Sequence, residues 1–294
     1  MDLATPVRLL TVGGLVAMML SMGLKVNLDE VLASSRKPRQ AALGVLANFV
    51  LVPAVTAGLL HWFNPDPMVS VGFLILAVCP GAPVGPPFAA VARGDVPYAV
   101  GQMVILAGLS AVLSPILLGV LLTQFAPDSD LQINYVAIGR SLLLTQMLPL
   151  AVGLGLHSRA PGLTERIGKP IALLANFLLL GAVVLVLVNE FETLALVRLR
   201  GWAGMVLLVA ASLATGWICG GPGRATRTSL AVTTGARNAA VALVIVSANF
   251  ANTPAVTAVV AYALVSIFAT LGCAVLFGSL VPTVPSLPPR ERSS

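Results

Sequence analysis

Six consecutive residues, Thr233-Thr234-Gly235-Ala236-Arg237-Asn238, carry the side chains of this sequence best suited to bind a ligand. They lie in the middle of a long apolar run, where an arginine is costly and calls for a specific role. The planar guanidinium suits a carboxylate or sulfonate, because its parallel N–H donors match two acceptor oxygens. The stretch therefore predicts an anion-binding site centred on Arg237.

Two other roles for Arg237 stay open at this point. The guanidinium could cap backbone carbonyls at a helix break, or the side chain could extend to a membrane surface while its stem stays in the apolar region. The two Thr hydroxyls could likewise bond to the backbone of their own helix, with Asn238 making a contact between helices. Arg237 is then a structural residue rather than a ligand-binding one.

A second apolar run is interrupted at Cys79-Pro80-Gly81-Ala82-Pro83-Val84-Gly85-Pro86-Pro87. Each proline inside a helix removes a backbone hydrogen bond and clashes with the preceding turn, so an unbroken helix is excluded. Backbone groups freed at membrane depth are tolerated only where they face protein or a water-filled cavity. The pattern predicts a discontinuous helix whose break faces the interior of the molecule.

The composition is that of a membrane protein. The 294 residues are 57% hydrophobic and 10% charged, with a mean hydropathy of +0.97, whereas soluble domains have about a quarter of their residues charged. A spanning helix needs roughly 20 apolar residues. The sequence predicts an all-α polytopic membrane protein with about nine transmembrane segments, near 7–25, 39–62, 68–93, 96–124, 133–157, 168–189, 200–220, 226–250 and 255–282.

The basic residues of the loops and tails are unevenly distributed between the two sides that nine spans would create. One side has Lys25, Arg36, Lys37, Arg39, Arg93, Arg159, Arg166, Lys169, Arg224, Arg227, Arg290 and Arg292, and the other has only Arg8, Arg198 and Arg200. Cytoplasmic loops are enriched in Lys and Arg. We therefore expect an integral protein of the plasma (inner) membrane with its N-terminus outside and its C-terminus cytoplasmic.

The two interrupted segments are the third and the eighth, so they run in opposite directions through the membrane. Interrupted helices at corresponding places in two halves indicate an inverted-repeat transporter with its site near the midplane. We predict one transporter domain over residues 1–294, with a first repeat at about 7–124, a second at about 133–282 and a cytoplasmic tail at 283–294. The first repeat then lacks one helix.

The acidic residues argue against proton coupling and catalysis. All eleven Asp and Glu lie in predicted loops, tails or segment edges, so the buried carboxylate relay of proton-coupled carriers is not predicted. No zinc-protease motif and no nucleophile–base pair is recognisable. The expectation is a non-enzyme without cofactor or bound metal, and the basic residues are explained by membrane sidedness rather than by nucleic acid.

Several motifs together resemble the bile acid:sodium symporter family. In order these are Met22-Gly23-Leu24 before a charged loop, Asn48-Phe49-Val50-Leu51-Val52-Pro53, Cys79-Pro80-Gly81, Ala92-Arg93-Gly94-Asp95 and Arg237-Asn238-Ala239. The resemblance extends over nearly the whole chain. It implies a panel domain and a core domain, with two discontinuous helices crossing in the core, and members with nine spans lack the first helix.

The resemblance also implies a sodium site at the crossing, and this sequence departs from it. The family's sodium positions are occupied here by Gly85, Pro86, Ala99, Met103, Thr233, Arg237 and Asn48. Hard cations prefer several oxygen ligands, usually including a carboxylate, and a fixed guanidinium repels Na⁺. Sodium coupling is therefore doubtful.

The function predicted is secondary transport of small organic anions by alternating access, without sodium coupling and with Arg237 as a built-in cation at the crossing. The predicted substrate-binding residues are Arg237, Asn238, Thr233, Thr234, Asn48, Pro83 and Gly85. One alternative is a sodium-coupled, bile acid-like symporter. Another is a sensor or scaffold on a carrier fold that no longer transports. The partners are the anion and the lipid bilayer, and the sequence leaves the oligomeric state open.

Overall fold

The computed structural model describes residues 4–26, 38–125, 135–195, 197 and 199–280, and the regular structure within these ranges is entirely helical. Some predictions fall outside the described residues. These are the sidedness residues Arg36, Lys37, Arg198, Arg290 and Arg292, the carboxylates Asp2, Asp29, Glu30, Asp128, Asp130 and Glu291, and the tail 283–294.

Twelve helices follow one another along the described chain. They are α1 (Ala4–Lys25), α2 (Pro38–Phe63), α3 (Pro67–Ala77), α4 (Gly85–Val91), α5 (Val96–Phe125), α6 (Tyr135–Arg159), α7 (Pro161–Asn189), α8 (Phe191–Ala195), α9 (Leu199–Cys219), α10 (Arg224–Gly235), α11 (Ala239–Asn249) and α12 (Pro254–Ser279).

The prediction of an all-α polytopic membrane protein is confirmed. In the described part of the chain, eight helical stretches are long and apolar enough to cross a bilayer when α10 and α11 are taken as one. The remaining predicted segment, the third at 68–93, is split into α3, which is apolar but has only 11 residues, and the shorter α4. Both predicted interruptions are therefore present, at residues 78–84 and 236–238.

One predicted boundary is wrong by about two turns. The sixth segment was expected to start near residue 168, but α7 starts at Pro161, where a proline fits the first helical position because its missing N–H is not needed there. Arg166 and Lys169 thus lie on the first turns of α7 rather than in a loop. An apolar pattern marks only the part of a helix inside the bilayer, and charged turns beyond it escape such a prediction.

α1 packs most extensively on α7 and α6, α9 on α10, and α3 on α12, while α6 also packs on α5 and α1 on α11. The α1–α6 crossing is close because Gly23 and Gly153 face each other: a Cβ added at Gly153 would come within 2.6 Å of the Leu20 carbonyl oxygen. Small residues allow such close helix contacts in membranes.

Burial places the interrupted helix α10–α11 at the centre of the molecule. In its most apolar 18-residue stretch 89% of the residues are buried, whereas in that of α7 only 17% are buried. Leu173 and Phe177 of α7 are largely exposed, as expected for a lipid-facing surface. The polar stretch at 233–238 is therefore surrounded by protein rather than by lipid.

Two long helices contain a single π-helical turn, at Ala47–Leu51 within α2 and at Leu143–Met147 within α6. Such turns insert an extra residue and often mark functional positions. The first includes Asn48 and the second Gln146, and both side chains are fully buried. Gln146 donates to the hydroxyl of Ser110 at 2.7 Å, which links α6 to α5.

Candidate functional site

The C-terminus of α3 is the structural centre of the site. The last carbonyls of a helix have no partner within the helix, and the proline at 80 has no N–H to offer. Each carbonyl from residue 76 to residue 79 nevertheless accepts a hydrogen bond from another element. The donors are the Nε of Arg237 for Leu76, the Nη2 of Arg237 for Ala77, Ser114 for Val78 and the backbone N–H of Asn238 for Cys79.

Arg237 lies between α10 and α11 and is only 1% exposed. Its Nε donates to the Leu76 carbonyl oxygen at 3.1 Å, and its Nη1 donates to Oδ1 of Asn48 at 2.8 Å. Because helix dipoles leave partial negative charge at a C-terminus, the end of α3 is a favourable place for a buried cation. Burial excludes the extension of the Arg237 side chain to a membrane surface. Its hydrogen bonds are those of a helix cap.

Asn48 connects this capping arrangement to α10. Its Nδ2 donates to the Gly44 carbonyl at 3.0 Å and to the Thr234 hydroxyl at 3.1 Å. Both donors of the amide point at acceptors, so the amide oxygen is free to accept from Arg237. The π-helical turn of α2, the end of α10 and the guanidinium thus form one continuous polar network.

Asn238 joins the two helix breaks directly. Its backbone N–H donates to the Cys79 carbonyl at 2.9 Å, and its Nδ2 donates to the Gly81 carbonyl at 3.4 Å. The Oδ1 atom accepts from the backbone N–H of Val241 at 3.2 Å, so Asn238 is also the N-cap of α11. Asn238 therefore caps the start of α11 and also bonds to the linker that follows α3.

Thr233 and Gly85 mark a close contact of α10 with α4. A Cβ added at Gly85 would lie 2.8 Å from Cγ2 of Thr233. The Thr233 hydroxyl donates to the carbonyls of Ser229 and Leu230 in its own helix, at 2.9 and 3.1 Å. Pro83 is half-buried in the linker before α4.

The structure thus brings Arg237, Asn238, Thr234 and Asn48 into one network. It places Thr233 and Gly85 at an adjoining helix contact, with Pro83 in the linker. The expectation that these seven residues bind substrate stays a prediction.

The positions where the resemblance implies sodium ligands offer few oxygens. Gly85, Pro86, Ala99 and Met103 are buried and have no side-chain oxygen. The Thr233 hydroxyl is bonded within its own helix. The two carbonyls that end α3 accept from Arg237. A cation at this point would compete with an arginine for the same acceptors.

Sequence reasoning identified the arginine but not the acceptors it would find. Capping of backbone carbonyls is one of the roles that the sequence allows for Arg237, and the proline-rich break indicates that carbonyls are available. The particular carbonyls at residues 76 and 77 depend on how the two breaks approach in space. Ser114, which donates to Val78, gives no signal in the sequence, because a serine inside a helix commonly bonds to its own backbone.

These features define a class: a polytopic membrane protein whose two interrupted helices meet at a buried polar site, as in secondary transporters. A family model described as "Sodium Bile acid symporter family" matches residues 12–196. This is more than half of the chain, and the protein belongs to that family. The matched range includes the break after α3 but ends before Arg237.

Curated relatives of known name match parts of the chain at low identity. A sodium-dependent organic anion transporter of Bos taurus is 26% identical over 176 residues, which is 59% of this chain and 46% of the relative. The uncharacterized sodium-dependent transporter YocS of Bacillus subtilis is 26% identical over 136 residues, 46% of this chain and 41% of the relative.

The ileal sodium/bile acid cotransporter of Oryctolagus cuniculus is 26% identical over 147 residues, 50% of this chain and 42% of the relative. The chain spans less than half the length of each of these relatives. All three are named as transporters rather than as enzymes.

Proposed function

We propose that this protein is a secondary transporter of small organic anions that works by alternating access without sodium coupling. The observation that carries the proposal is the buried guanidinium of Arg237, bonded to two carbonyls at the end of α3 and to Asn48. It supplies a permanent positive charge at the meeting point of the two breaks. The family and the names of its members support the transport of organic anions or metabolites.

The electrostatic argument concerns the C-terminus of α3. In transporters with discontinuous helices, half-helix C-termini and unwound carbonyls coordinate the coupling cation. A guanidinium satisfies the same acceptors through directed N–H donors and cannot be deprotonated under physiological conditions. An unpaired arginine near the bilayer centre costs about 2.5–3.5 kcal/mol on insertion scales. Three hydrogen bonds and the helix dipole offset that cost.

The anion itself would bind at the N-terminus of α11. The N–H groups of Ala239 and Val241 are already bonded, to the Arg237 carbonyl and to Asn238, so the attraction there comes from the N–H of Ala240 and from the positive end of the helix dipole. Ala239 and Ala240 are partly exposed, whereas Arg237 and Asn238 are buried. Pro83 and Val84 of the opposite linker are also partly exposed. The positive charge of Arg237 adds to the field at this place without the side chain contacting the ligand in this conformation.

Alternating access requires two groups of helices that move relative to each other. We take α1, α6 and α7 as one group, corresponding to a panel, which the extensive packing of α1 on α6 and α7 supports. The remaining long helices form the other group, corresponding to a core. Both breaks lie in the second group. We propose that the core carries the anion past the panel, with the N-terminus outside, in the plasma membrane.

The test is uptake of a panel of labelled carboxylates and sulfonates into proteoliposomes, with and without an inward Na⁺ gradient. We expect at least one anion to enter at a rate that Na⁺ does not change. Measured per molecule of folded protein, Arg237→Gln should slow that uptake, whereas Arg140→Gln, at an exposed position of α6, should not. Uptake that requires Na⁺ would refute the proposal, and undiminished uptake by Arg237→Gln would leave Arg237 a structural cap only.

A sodium-coupled symporter is the second candidate, and the printed names of the relatives favour it. Its ligands would have to be backbone carbonyls, Asn48 and the Thr233 and Thr234 hydroxyls. The same Na⁺ comparison decides between the two. A transport-inactive sensor on this fold predicts that no anion of the panel is taken up, while an anion still stabilises the purified protein.

A further inference from the structure

A cavity of about 630 Å³ lies away from the helix breaks, between the end of α2, the start of α3 and the first turns of α9 and α12. This is the end of the molecule that the distribution of basic residues places outside. None of the residues at 78–85 or 233–238 lines the cavity. Its volume is within the usual range for small-molecule sites, about 300–1,000 Å³.

The walls of the cavity are mainly apolar. Leu59, Phe73, Met205 and Leu208 line it from three helices. Room is available because α9 presents glycine at this place: a Cβ added at Gly204 would reach only ordinary contact, 3.9 Å, with the ring of Phe63. The interior therefore fits a hydrocarbon chain rather than a polar metabolite.

One cation lies on the lining, near the start of α9. The guanidinium carbon of Arg200 is 5.4 Å from the centroid of the Phe63 ring, and the residue is exposed. Among the described residues no carboxylate forms an ion pair with it. Asp66, also on the lining, is engaged as the N-cap of α3, where its Oδ1 accepts from the N–H of Met68 at 2.8 Å.

We propose that this cavity binds an amphipathic carboxylate, with its apolar chain between α2, α3, α9 and α12 and its carboxylate on Arg200. The ring of Phe63 holds the guanidinium by a cation–π contact, and a planar fork of N–H donors remains for a carboxylate. This site is separate from the proposed transport site, and its occupancy does not depend on whether the protein transports anything.

Two of the three tryptophans lie beside the cavity and can report binding. The ring of Trp62 is 5.2 Å from that of Phe63, and Trp202 follows the lining residue Gly201. The third, Trp217, lies near the opposite end of α9 and packs on Phe277 at 5.5 Å. In Trp217→Phe protein, tryptophan fluorescence therefore comes only from the cavity end of the molecule.

The experiment is quenching of this fluorescence by 12-bromododecanoate, with the protein purified in an uncharged detergent. We expect saturable quenching, because the bromine on the chain enters the cavity. Arg200→Gln should weaken the apparent affinity for the carboxylate at least fivefold but leave quenching by 12-bromododecanol unchanged. Arg140→Gln is the matched exposed control and should behave like the parent. Gly204→Leu, which fills the cavity, should weaken quenching by both compounds.

Quenching that does not saturate, or that is equal in Arg200→Gln and the parent, would overturn the proposal. Saturable quenching by brominated phosphatidylglycerol but not by bromododecanoate would also overturn it, because the occupant would then be a membrane lipid. Should Gly204→Leu fail to fold, the Arg200→Gln comparison decides alone, since that side chain is exposed.

Discussion

Arg237 shows how one side chain can satisfy a helix end inside a membrane. A helix that stops at membrane depth leaves carbonyls that lipid cannot hydrate, and the dipole concentrates negative charge there. A metal ion needs several oxygens around it, whereas a guanidinium binds acceptors in one plane from a tether that cannot dissociate. The fork of Arg237 reaches Leu76, Ala77 and Asn48 together.

Replacing Arg237 by Gln should destabilise the fold. The shorter side chain removes the donor of the Ala77 carbonyl and one of the two donors of the Leu76 carbonyl, which keeps the N–H of Cys79. Asn48 loses the partner of its amide oxygen. Buried hydrogen bonds to charged groups contribute about 1.5–3 kcal/mol each. We expect a loss of at least about 2 kcal/mol, measured as a lower midpoint of thermal unfolding in detergent.

Arg140→Gln serves as the control for this stability measurement, because it removes an equal charge from an exposed place. Its midpoint should stay within about a degree of the parent, as expected for surface substitutions. An Arg237→Gln protein as stable as this control would show that the capping bonds contribute nothing net. Addition of Na⁺ should not restore the midpoint of Arg237→Gln.

At the scale of elements, the linker from residue 78 to residue 84 depends on one glycine. Gly81 has φ of 81°, and a Cβ there would lie 2.6 Å from the backbone nitrogen of Ala107 in α5. Gly81→Ala should therefore destabilise by about 1–3 kcal/mol from the backbone conformation alone, with the clash in addition. The midpoint of thermal unfolding should fall by several degrees.

Gly108→Ala is the matched substitution, one residue beyond Ala107 in the same helix. No atom lies within 4 Å of a Cβ placed there, and alanine is the better helix former by about 0.5–1 kcal/mol. It should leave the midpoint unchanged or raise it. Equal behaviour of the two alanine variants would contradict the role assigned to the Gly81 turn.

The interruptions could be predicted from the sequence because proline and glycine act locally. Pro80 and Pro83 exclude a continuous helix whatever surrounds them, and counting spans placed the two breaks in antiparallel helices. The π-helical turn at Ala47–Leu51 has a weaker local sign, the proline at residue 53 that follows it. A proline inside a helix indicates a kink or a bulge without deciding which of them forms. The start of α7 was predicted too late because its charged first turns resemble a loop in the sequence.

The contacts of Arg237 mark the other limit of sequence reasoning. A buried arginine needs oxygen acceptors for its N–H donors, and the sequence predicts no carboxylate inside the membrane. The acceptors could belong to backbone carbonyls or to a bound anion, so both a capping role and an anion-binding role were possible. Choosing the Leu76 and Ala77 carbonyls requires the approach of α3 to the 236–238 break, which is set by packing across more than 150 residues of sequence.

At the scale of the whole molecule, the residues that the structure describes make few side-chain hydrogen bonds between the α1–α6–α7 group and the other helices. At one end, the Thr257 hydroxyl of α12 donates to Oε2 of Glu190, at the end of α7, at 2.6 Å. Deeper in, Gln146 of α6 bonds to Ser110 of α5. If the two groups move past each other during transport, the contact at Glu190 must break in every cycle.

This leads to a prediction about cross-linking. With Cys79, Cys219 and Cys273 replaced by alanine, Glu190→Cys and Thr257→Cys are introduced together and joined with a reducible bifunctional thiol reagent. The bridge fixes α7 to α12, so the two groups can no longer separate at this end. We expect anion uptake into proteoliposomes to stop after cross-linking and to return once the bridge is reduced.

The control bridge lies within one group. Thr164 of α7 and His157 of α6 are neighbours, 3.4 Å apart between Oγ1 and Nδ1, so His157→Cys with Thr164→Cys joins two helices that should move as one. Uptake should survive that bridge. If the bridge between positions 190 and 257 leaves uptake intact, then α7 and α12 do not separate during transport, and the moving boundary has to be sought elsewhere, with the contact of α1 and α11 as the next candidate.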